Sequence, residues 1–278
     1  MIAFRTLLLC LLALTLPQLA MADSRCSERS RTLLSPAKVS CPHRTTWIDS
    51  GLVGARQVIY QTPLGTPPAA GWPVVLIYQG SFFPLDDFSY TGNLPFGGFH
   101  EGKLVKTLLD NGYAVIAPSA PADLFWQTNI PGLAQAYELS TDYDFLGNVL
   151  GAIASGHFGP LDAQRQYATG ISSGGYNSSR MAVSFPGRFK ALAIQSGSYA
   201  TCSGPLCVVP GQLPADHPPT LFLHGFVDLV VPWWSMDLYY DRLLQQGIET
   251  ARHTEPLGGH EWFAVSPGKI LAWFNAHP

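Results

Sequence analysis

Ser172 stands at the centre of GISSG (170–174), inside the run YATGISSGGYNSSRMA (167–182), with Ser173 directly after it. A serine hydroxyl is a weak nucleophile at its free pKa, so it attacks a carbonyl only when a base takes its proton and a third group orients that base. The flanking glycines fit G-x-S-x-G, in which a sharp strand-to-helix turn lifts the central hydroxyl above a sheet. So short a motif recurs by chance, and its partners decide its meaning. A hydrolase of this kind orders them Ser, then acid, then His. Asp228 follows an apolar run in LFLHGFVDLVVP (221–232), and His260 lies in the glycine-rich EPLGGHEWF (255–263). We therefore expect Ser172 as nucleophile, Asp228 as orienting acid and His260 as general base and acid.

Ser173 occupies an x position of the motif, so its side chain is expected to turn away while its N–H faces the developing oxyanion. The second donor is expected from YQGSFF (78–83), where Gly80 permits close backbone approach and the N–H of Ser81 or Phe82 completes the hole. Gln79 either contributes there or fixes the loop. Apolar clusters follow the ends of several expected strands: SFFPLDDFSY (81–90), ADLFWQTNIPGL (122–133) and Trp233-Trp234. Loops in such places build pockets, so Phe82, Phe83, Trp126, Trp233 and Trp234 are candidate contacts for an apolar acyl group. His224 is expected to pack or to brace the acid loop. The other histidines read as structural or solvated, and Glu261 as a surface carboxylate.

These residues need elements to carry them. RQVIYQTP (56–63), WPVVLIYQG (72–80), YAVIAPSAP (113–121), RQYATGI (165–171), KALAIQSG (190–197), PTLFLHG (219–225) and ARHTEPLG (251–258) read as strands. HEGKLVKTLLDNG (100–112), DYDFLGNVLGAIASG (142–156), residues 174–185, SMDLYYDRLLQQG (235–247) and a segment ending near Ala276 read as helices. Strands that alternate with helices, several as unbroken apolar runs, predict an α/β fold with a mostly parallel sheet covered on both faces. Ligands bind such sheets at the carboxyl ends of the strands, which is where Ser172, Asp228 and His260 fall.

The chain opens MIAFRTLLLCLLALTLPQLAMADS (1–24), an apolar run closed by Ala20-Met21-Ala22. Residues 1–22 are expected to be a cleaved signal peptide and the product to be secreted. The run is broken by Pro17 and is too short for a membrane anchor. Residues 23–278 are expected to form a single catalytic domain, with 23–55 as an N-terminal arm. Four cysteines remain after cleavage and allow three pairings; spacing favours Cys26 with Cys41 and Cys202 with Cys207 as structural disulfides. No His or Cys falls at zinc-ligand spacing nearby, and the serine chemistry needs no cofactor, so neither metal nor cofactor is expected. The formal net charge is −3, without a basic run, which makes nucleic acid a poor partner. Only 13% of residues are charged against 47% hydrophobic, a balance that suits work at an apolar surface.

Taken together, GISSGGYNSSRMA, FLHGFVDLVVPWW and GGHEWF resemble the extracellular medium-chain-length polyhydroxyalkanoate depolymerases of bacteria. The resemblance runs through essentially all of residues 23–278. It implies an α/β-hydrolase fold, cleavage of poly(3-hydroxyalkanoate) esters with side chains of the octanoate class, and a hydrophobic polyester as partner. It also carries the triad onto Ser172, Asp228 and His260. No linker or separate substrate-binding domain is evident, so the catalytic domain's own apolar surface would have to grip the polymer. A secreted lipase or carboxylesterase shares the same triad, a serine peptidase is a more distant alternative, and a non-catalytic hydrolase-fold protein that binds apolar surfaces is the rival from another class.

Overall fold

The computed structural model describes residues 23–85 and 87–278; the expected signal peptide, residues 1–22, lies outside the described residues. The described residues open with three short strands, β1 (Ser27–Arg29), β2 (Lys38–Ser40) and β3 (Arg44–Asp49). The chain continues through β4 (Ala55–Gln61), β5 (Trp72–Tyr78), β6 (Ser89–Thr91), α1 (Gly98–Asp110), β7 (Ala114–Pro118) and α2 (Thr141–Ala154). The second half alternates regularly: β8 (Leu161–Ile171), α3 (Ser173–Ser184), β9 (Phe189–Gln195), β10 (Thr220–Gly225), α4 (Trp233–Gln245), β11 (Thr250–Glu255) and α5 (Ser266–Ala276).

The sequence of β5, WPVVLIY, is buried at every position. Such a strand has no solvent face and requires cover on both sides. Successive side chains alternate between two cores. Val74, Leu76 and Tyr78 pack with Phe145, Leu146 and Val149 of α2 and Met181 of α3. Val75 and Ile77 pack with Leu104 and Leu108 of α1 and with Ile270 and Phe274 of α5. Each such aliphatic side chain contributes about 1.5–3 kcal/mol by burial. A third cluster seats Met236, Tyr239 and Leu243 of α4 on Ile194 and Phe222.

The central sheet runs β11-β10-β9-β8-β5-β7-β4-β3. Pairings from β11 to β7 are parallel, whereas β4 pairs antiparallel with β7 and β3 antiparallel with β4. This is the expected α/β arrangement with one addition. β3 lies inside the segment expected as an arm, yet it forms the sheet's edge. Its half-exposed burial and the polar run RTT hide the strand signal, since an edge strand need bury little.

The remainder of the arm forms a second small sheet, β1-β2-β6. Cys26 and Cys41 are joined with an S–S distance of 2.06 Å, and Cys202 with Cys207 at 2.04 Å. β2 pairs with β6 from Lys38–Thr91 to Ser40–Ser89, and the Cys41 amide donates to the Phe88 carbonyl at 3.0 Å. The disulfide-bonded segment therefore holds the loop that follows β5. That loop is where the candidate site lies.

Candidate active site

Ser172 is the hinge between β8 and α3, with φ 56° and ψ −121°. A positive φ is uncommon for a residue with a Cβ, and such strain persists only where the surroundings enforce it. Here the Ser172 amide donates to the Gln195 carbonyl on β9 at 3.1 Å, and its own carbonyl accepts the Tyr176 amide at 3.0 Å to start α3. The glycines of the motif have a steric cause. A Cβ on Gly170 would lie 2.6 Å from the Tyr78 carbonyl oxygen, and one on Gly174 would overlap that same oxygen. The helix thus reaches the end of β5 only because both positions lack a side chain.

Asp228 lies in the loop after β10. Its Oδ1 accepts the amides of Val230 and Val231, each at 2.8 Å, and its Oδ2 lies 2.8 Å from His260 Nδ1. Burial alone pushes this carboxyl up; the His260 hydrogen bond, the His260 charge and the two amides outweigh it and leave Asp228 below its ordinary value. His224, buried beneath this loop, contacts the Val231 carbonyl at 2.8 Å through Nε2. Burial draws His224 down in pKa, so the neutral ring donates to that carbonyl and braces the acid loop.

The His260 loop is tied from three sides. Gln195 Nε2 donates to the Glu261 carbonyl at 2.7 Å, and Ser266 Oγ donates to Gln195 Oε1 at 2.7 Å. The Val227 amide donates to the Gly258 carbonyl at 3.2 Å, which joins the acid loop to the histidine loop. The Trp262 amide donates to the Phe96 carbonyl at 2.9 Å, bringing the loop before α1 alongside.

The Ser173 hydroxyl accepts the Trp126 amide at 2.9 Å and donates to Asn129 Oδ1 at 2.7 Å, so the side chain is fully engaged away from Ser172. Gly80 stands beside the serine, since a Cβ there would lie 3.8 Å from Ser172 Cβ. Of the two amides expected to complete an oxyanion hole, Phe82's donates to the Leu124 carbonyl at 2.7 Å. Only the Ser81 amide of that pair is left for the role. Gln79 serves the loop and not the site: its Oε1 accepts the Ala120 amide at 3.0 Å and its Nε2 donates to the Asp123 carbonyl at 3.1 Å.

Ser172 and His260 open into one cleft of about 650 Å³, lined on its apolar sides by Phe82, Phe83, Leu85, Leu94, Phe96 and Val230. Phe96 links its parts, with its ring centroid 4.9 Å from that of Phe83 and 5.7 Å from that of His260. Of the aromatic residues expected to contact an acyl group, Phe82 and Phe83 line the cleft. Trp126 does not. It is 0% exposed, packs edge-to-face on Tyr78 and donates its indole N–H to the Gln79 carbonyl at 3.2 Å. Trp233 and Trp234 open α4 outside the cleft lining, with the Trp233 indole donating to Thr254 Oγ1 at 3.1 Å. Phe96 and Leu94 escaped the sequence reading because LPFGG (94–98) belongs to no periodic element. An apolar pair set among proline and glycine beside an aromatic cluster was the available signal. Among the described residues no group of three His, Cys, Asp or Glu side chains stands ready to hold a metal.

No protein-family model matches the chain. It is 85% identical over 273 residues, 98% of each chain, to "Poly(3-hydroxyoctanoate) depolymerase" of Pseudomonas fluorescens. Among solved structures it resembles an S-formylglutathione hydrolase from Agrobacterium tumefaciens, with TM-score 0.59 and 16% identity over 92% of this chain and 99% of that one. It also resembles the acylaminoacyl peptidase of Pyrococcus horikoshii, with TM-score 0.57 and 14% identity over 85% of this chain, spanning only 41% of that longer chain. Similarities this remote establish the fold alone, which is that of the α/β-hydrolases.

Proposed function

The chain belongs to the poly(3-hydroxyoctanoate) depolymerase family, and from that membership we propose that it cleaves ester bonds of medium-chain poly(3-hydroxyalkanoates) with Ser172, Asp228 and His260 as its catalytic triad. It is a carboxylic ester hydrolase, and its substrate is a hydrophobic polyester. The observation that carries the residue assignment is the hydrogen bond between Asp228 and His260, with His260 and a strained Ser172 lining one apolar cleft.

The roles follow from the donors and acceptors. Asp228 accepts from His260 Nδ1–H, which leaves Nε2 bare and able to take the Ser172 proton as Oγ attacks the ester carbonyl carbon. The tetrahedral oxygen is held by the amides of Ser173 and Ser81, with Gly80 admitting the substrate close to the backbone. The carbon–oxygen bond to the departing chain then breaks, and His260 returns the proton to that alkoxide oxygen. Water, deprotonated by His260, hydrolyses the hydroxyacyl ester on Ser172 and frees the acid. The cleft supplies an apolar lining for the alkyl side chain through Phe82, Phe83 and Phe96. Trp126, Trp233 and Trp234 are given no part in it.

Two disulfides support an exported enzyme acting on polymer outside the cell. We read residues 23–278 as one catalytic domain, because the disulfide-bonded segment pairs through β2 with β6, which lines the cleft beside the sheet's own Ser172 and His260 loops.

The test is clearing of an aqueous latex of poly(3-hydroxyoctanoate), beside poly(3-hydroxybutyrate) and a long-chain triglyceride, by the wild type and Ser172→Ala. Clearing of the octanoate latex that vanishes in the variant is the expected result. Triglyceride hydrolysis with an untouched latex would leave a lipase, and undiminished activity in Ser172→Ala would remove Ser172 from the mechanism.

A further inference from the structure

The two amides assigned to the oxyanion hole come from different strand ends. Ser173 opens α3 after β8, and Ser81 follows β5. The ladder between these strands stops at Tyr78 and Gly170, short of both donors. Gly174 limits how near the two ends come, because a Cβ there would lie 2.6 Å from the Gln79 carbonyl oxygen. Contact of that kind resists approach and not separation.

Trp126 supplies the opposite constraint. Its backbone amide donates to Ser173 Oγ at 2.9 Å, and its indole N–H donates to the Gln79 carbonyl at 3.2 Å. One buried residue therefore holds the side chain of the first oxyanion residue and the peptide unit next to the second donor. The chain on either side of it repeats the link. Ser173 Oγ donates to Asn129 Oδ1 at 2.7 Å, and the Leu124 carbonyl accepts the Phe82 amide at 2.7 Å. The segment is itself anchored, since Thr128 Oγ1 donates to the Ala200 carbonyl at 2.6 Å and accepts from Arg180 Nε at 2.9 Å. Oxyanion donors act only at about 2.7–3.1 Å from the developing charge, and a misplacement of about 1 Å costs about 10²-fold in rate.

We propose that Trp126 is a positioning residue for the ester hydrolysis, a clamp whose amide and indole keep the Ser173 and Ser81 amides in register for the tetrahedral oxyanion. This deepens the ester-hydrolase reading and rests on it for the place of the oxyanion. Trp126 lies outside the cleft lining, so its effect falls on the transition state and not on substrate binding.

The experiment measures kcat and KM on 4-nitrophenyl octanoate, and inhibition by an octyl trifluoromethyl ketone, for wild type, Trp126→Phe, Ser173→Ala and the double variant. Ser172 Oγ bonds to the ketone carbon, its proton passes to His260, and the carbonyl electron pair moves onto the oxygen, so the adduct reports on the hole. Trp126→Phe keeps an aromatic ring on Tyr78 and removes the indole donor. Ser173→Ala removes the other arm and keeps the Ser173 amide. Each should lower kcat about ten-fold, the effect of one buried hydrogen bond, and weaken the ketone by a similar factor, with KM within about two-fold. The pH at which kcat/KM is half-maximal should stay in place, because Asp228 and His260 keep their contacts. With both arms on one clamp, the double variant should lose much less than the product of about a hundred-fold that independent effects would give.

Full kcat in either single variant overturns the proposal, as does a fall in kcat with unchanged ketone binding, a shifted pH profile or a fully multiplicative double variant. If Trp126→Phe does not fold, Ser173→Ala decides by the same kcat, ketone and pH readings. Ser172→Ala run in parallel separates the two readings. Activity retained there would refute the triad, whereas its loss beside full activity in Trp126→Phe and Ser173→Ala would refute the clamp alone.

Discussion

His260 Nδ1 and Asp228 Oδ2 are 2.8 Å apart, and the other oxygen of the same carboxylate is fixed by two backbone amides. The two oxygens of Asp228 are therefore not interchangeable. In Asp228→Asn the amide oxygen stays with the Val230 and Val231 amides, which can only donate. The NH₂ group is then turned to His260 Nδ1, which must accept, and the ring's proton moves to Nε2. That tautomer cannot receive the Ser172 proton, so kcat should fall about 10³–10⁴-fold with the fold intact. Steady-state kinetics on a soluble ester, with circular dichroism as control, measures it.

Gly174→Ala places a methyl group on the Tyr78 carbonyl oxygen, between α3 and β5. Overpacking of backbone against backbone cannot be relieved by a rotamer change, so a loss of several kcal/mol is expected. Gly151, inside α2 with nothing within 4 Å of its Cβ position, should do the opposite. Gly151→Ala should gain about 0.5–1 kcal/mol from helix propensity. Urea unfolding of both variants tests the contrast.

Glu101, whose carboxyl is pushed up by burial, makes stability fall as pH rises. Its ordinary value of 4.5 holds in the unfolded chain and about 8 in the folded one, so between these the native state keeps a proton that the unfolded state has released. The contribution is complete below about 4.5 and fades through 8. His217, which burial draws down from 6.5 to about 4, works in the other sense over its own window, so the comparison must be between variants. Wild type should lose more stability than Glu101→Gln between pH 5 and pH 8, read from urea midpoints; equal losses would contradict the assignment.

Leu229 and Leu257 are 95% and 89% exposed, on the two loops that the Val227–Gly258 hydrogen bond joins beside the triad. Phe226 and Val227 add to the same apolar rim. A rim of this kind suits contact with a solid apolar substrate. Leu229→Ser with Leu257→Ser should lower adsorption to, and clearing of, polyester latex several-fold. Turnover of 4-nitrophenyl butyrate should stay within about two-fold, because neither side chain lines the cleft. Equal loss on both substrates would mean the loops had moved.

Much of this architecture was legible in the sequence. The unbroken apolar runs of β5 and β10 announce strands buried on both faces, and the order Ser172, Asp228, His260 at three strand ends is a long-range pattern that survives without coordinates. What escaped depends on context. β3 is an edge strand whose exposed residues carry no clean alternation. Trp126 sits in a loop after a strand, as a substrate contact would, and only its packing on Tyr78 reveals a core residue. Phe82 and Ser81 were equivalent as amide donors until the Leu124 carbonyl claimed one of them. Glu101 reads as an ordinary helix-surface acid, because nothing in HEGKLVK tells that the first turn of α1 faces an apolar cleft.

The small sheet β1-β2-β6 and the Cys26–Cys41 bond hold the cleft's outer loop, whereas Ser172, Asp228 and His260 hang from the parallel strands. The residues proposed to break the ester and the outer wall of the cleft therefore have separate supports. A designer could exchange residues 24–41 and 81–97 as a matched cassette and retune which chain enters while the triad's scaffold stayed as it is. Drift within a lineage has the same freedom, and new substrate preferences would be expected to arise by paired changes in these two segments.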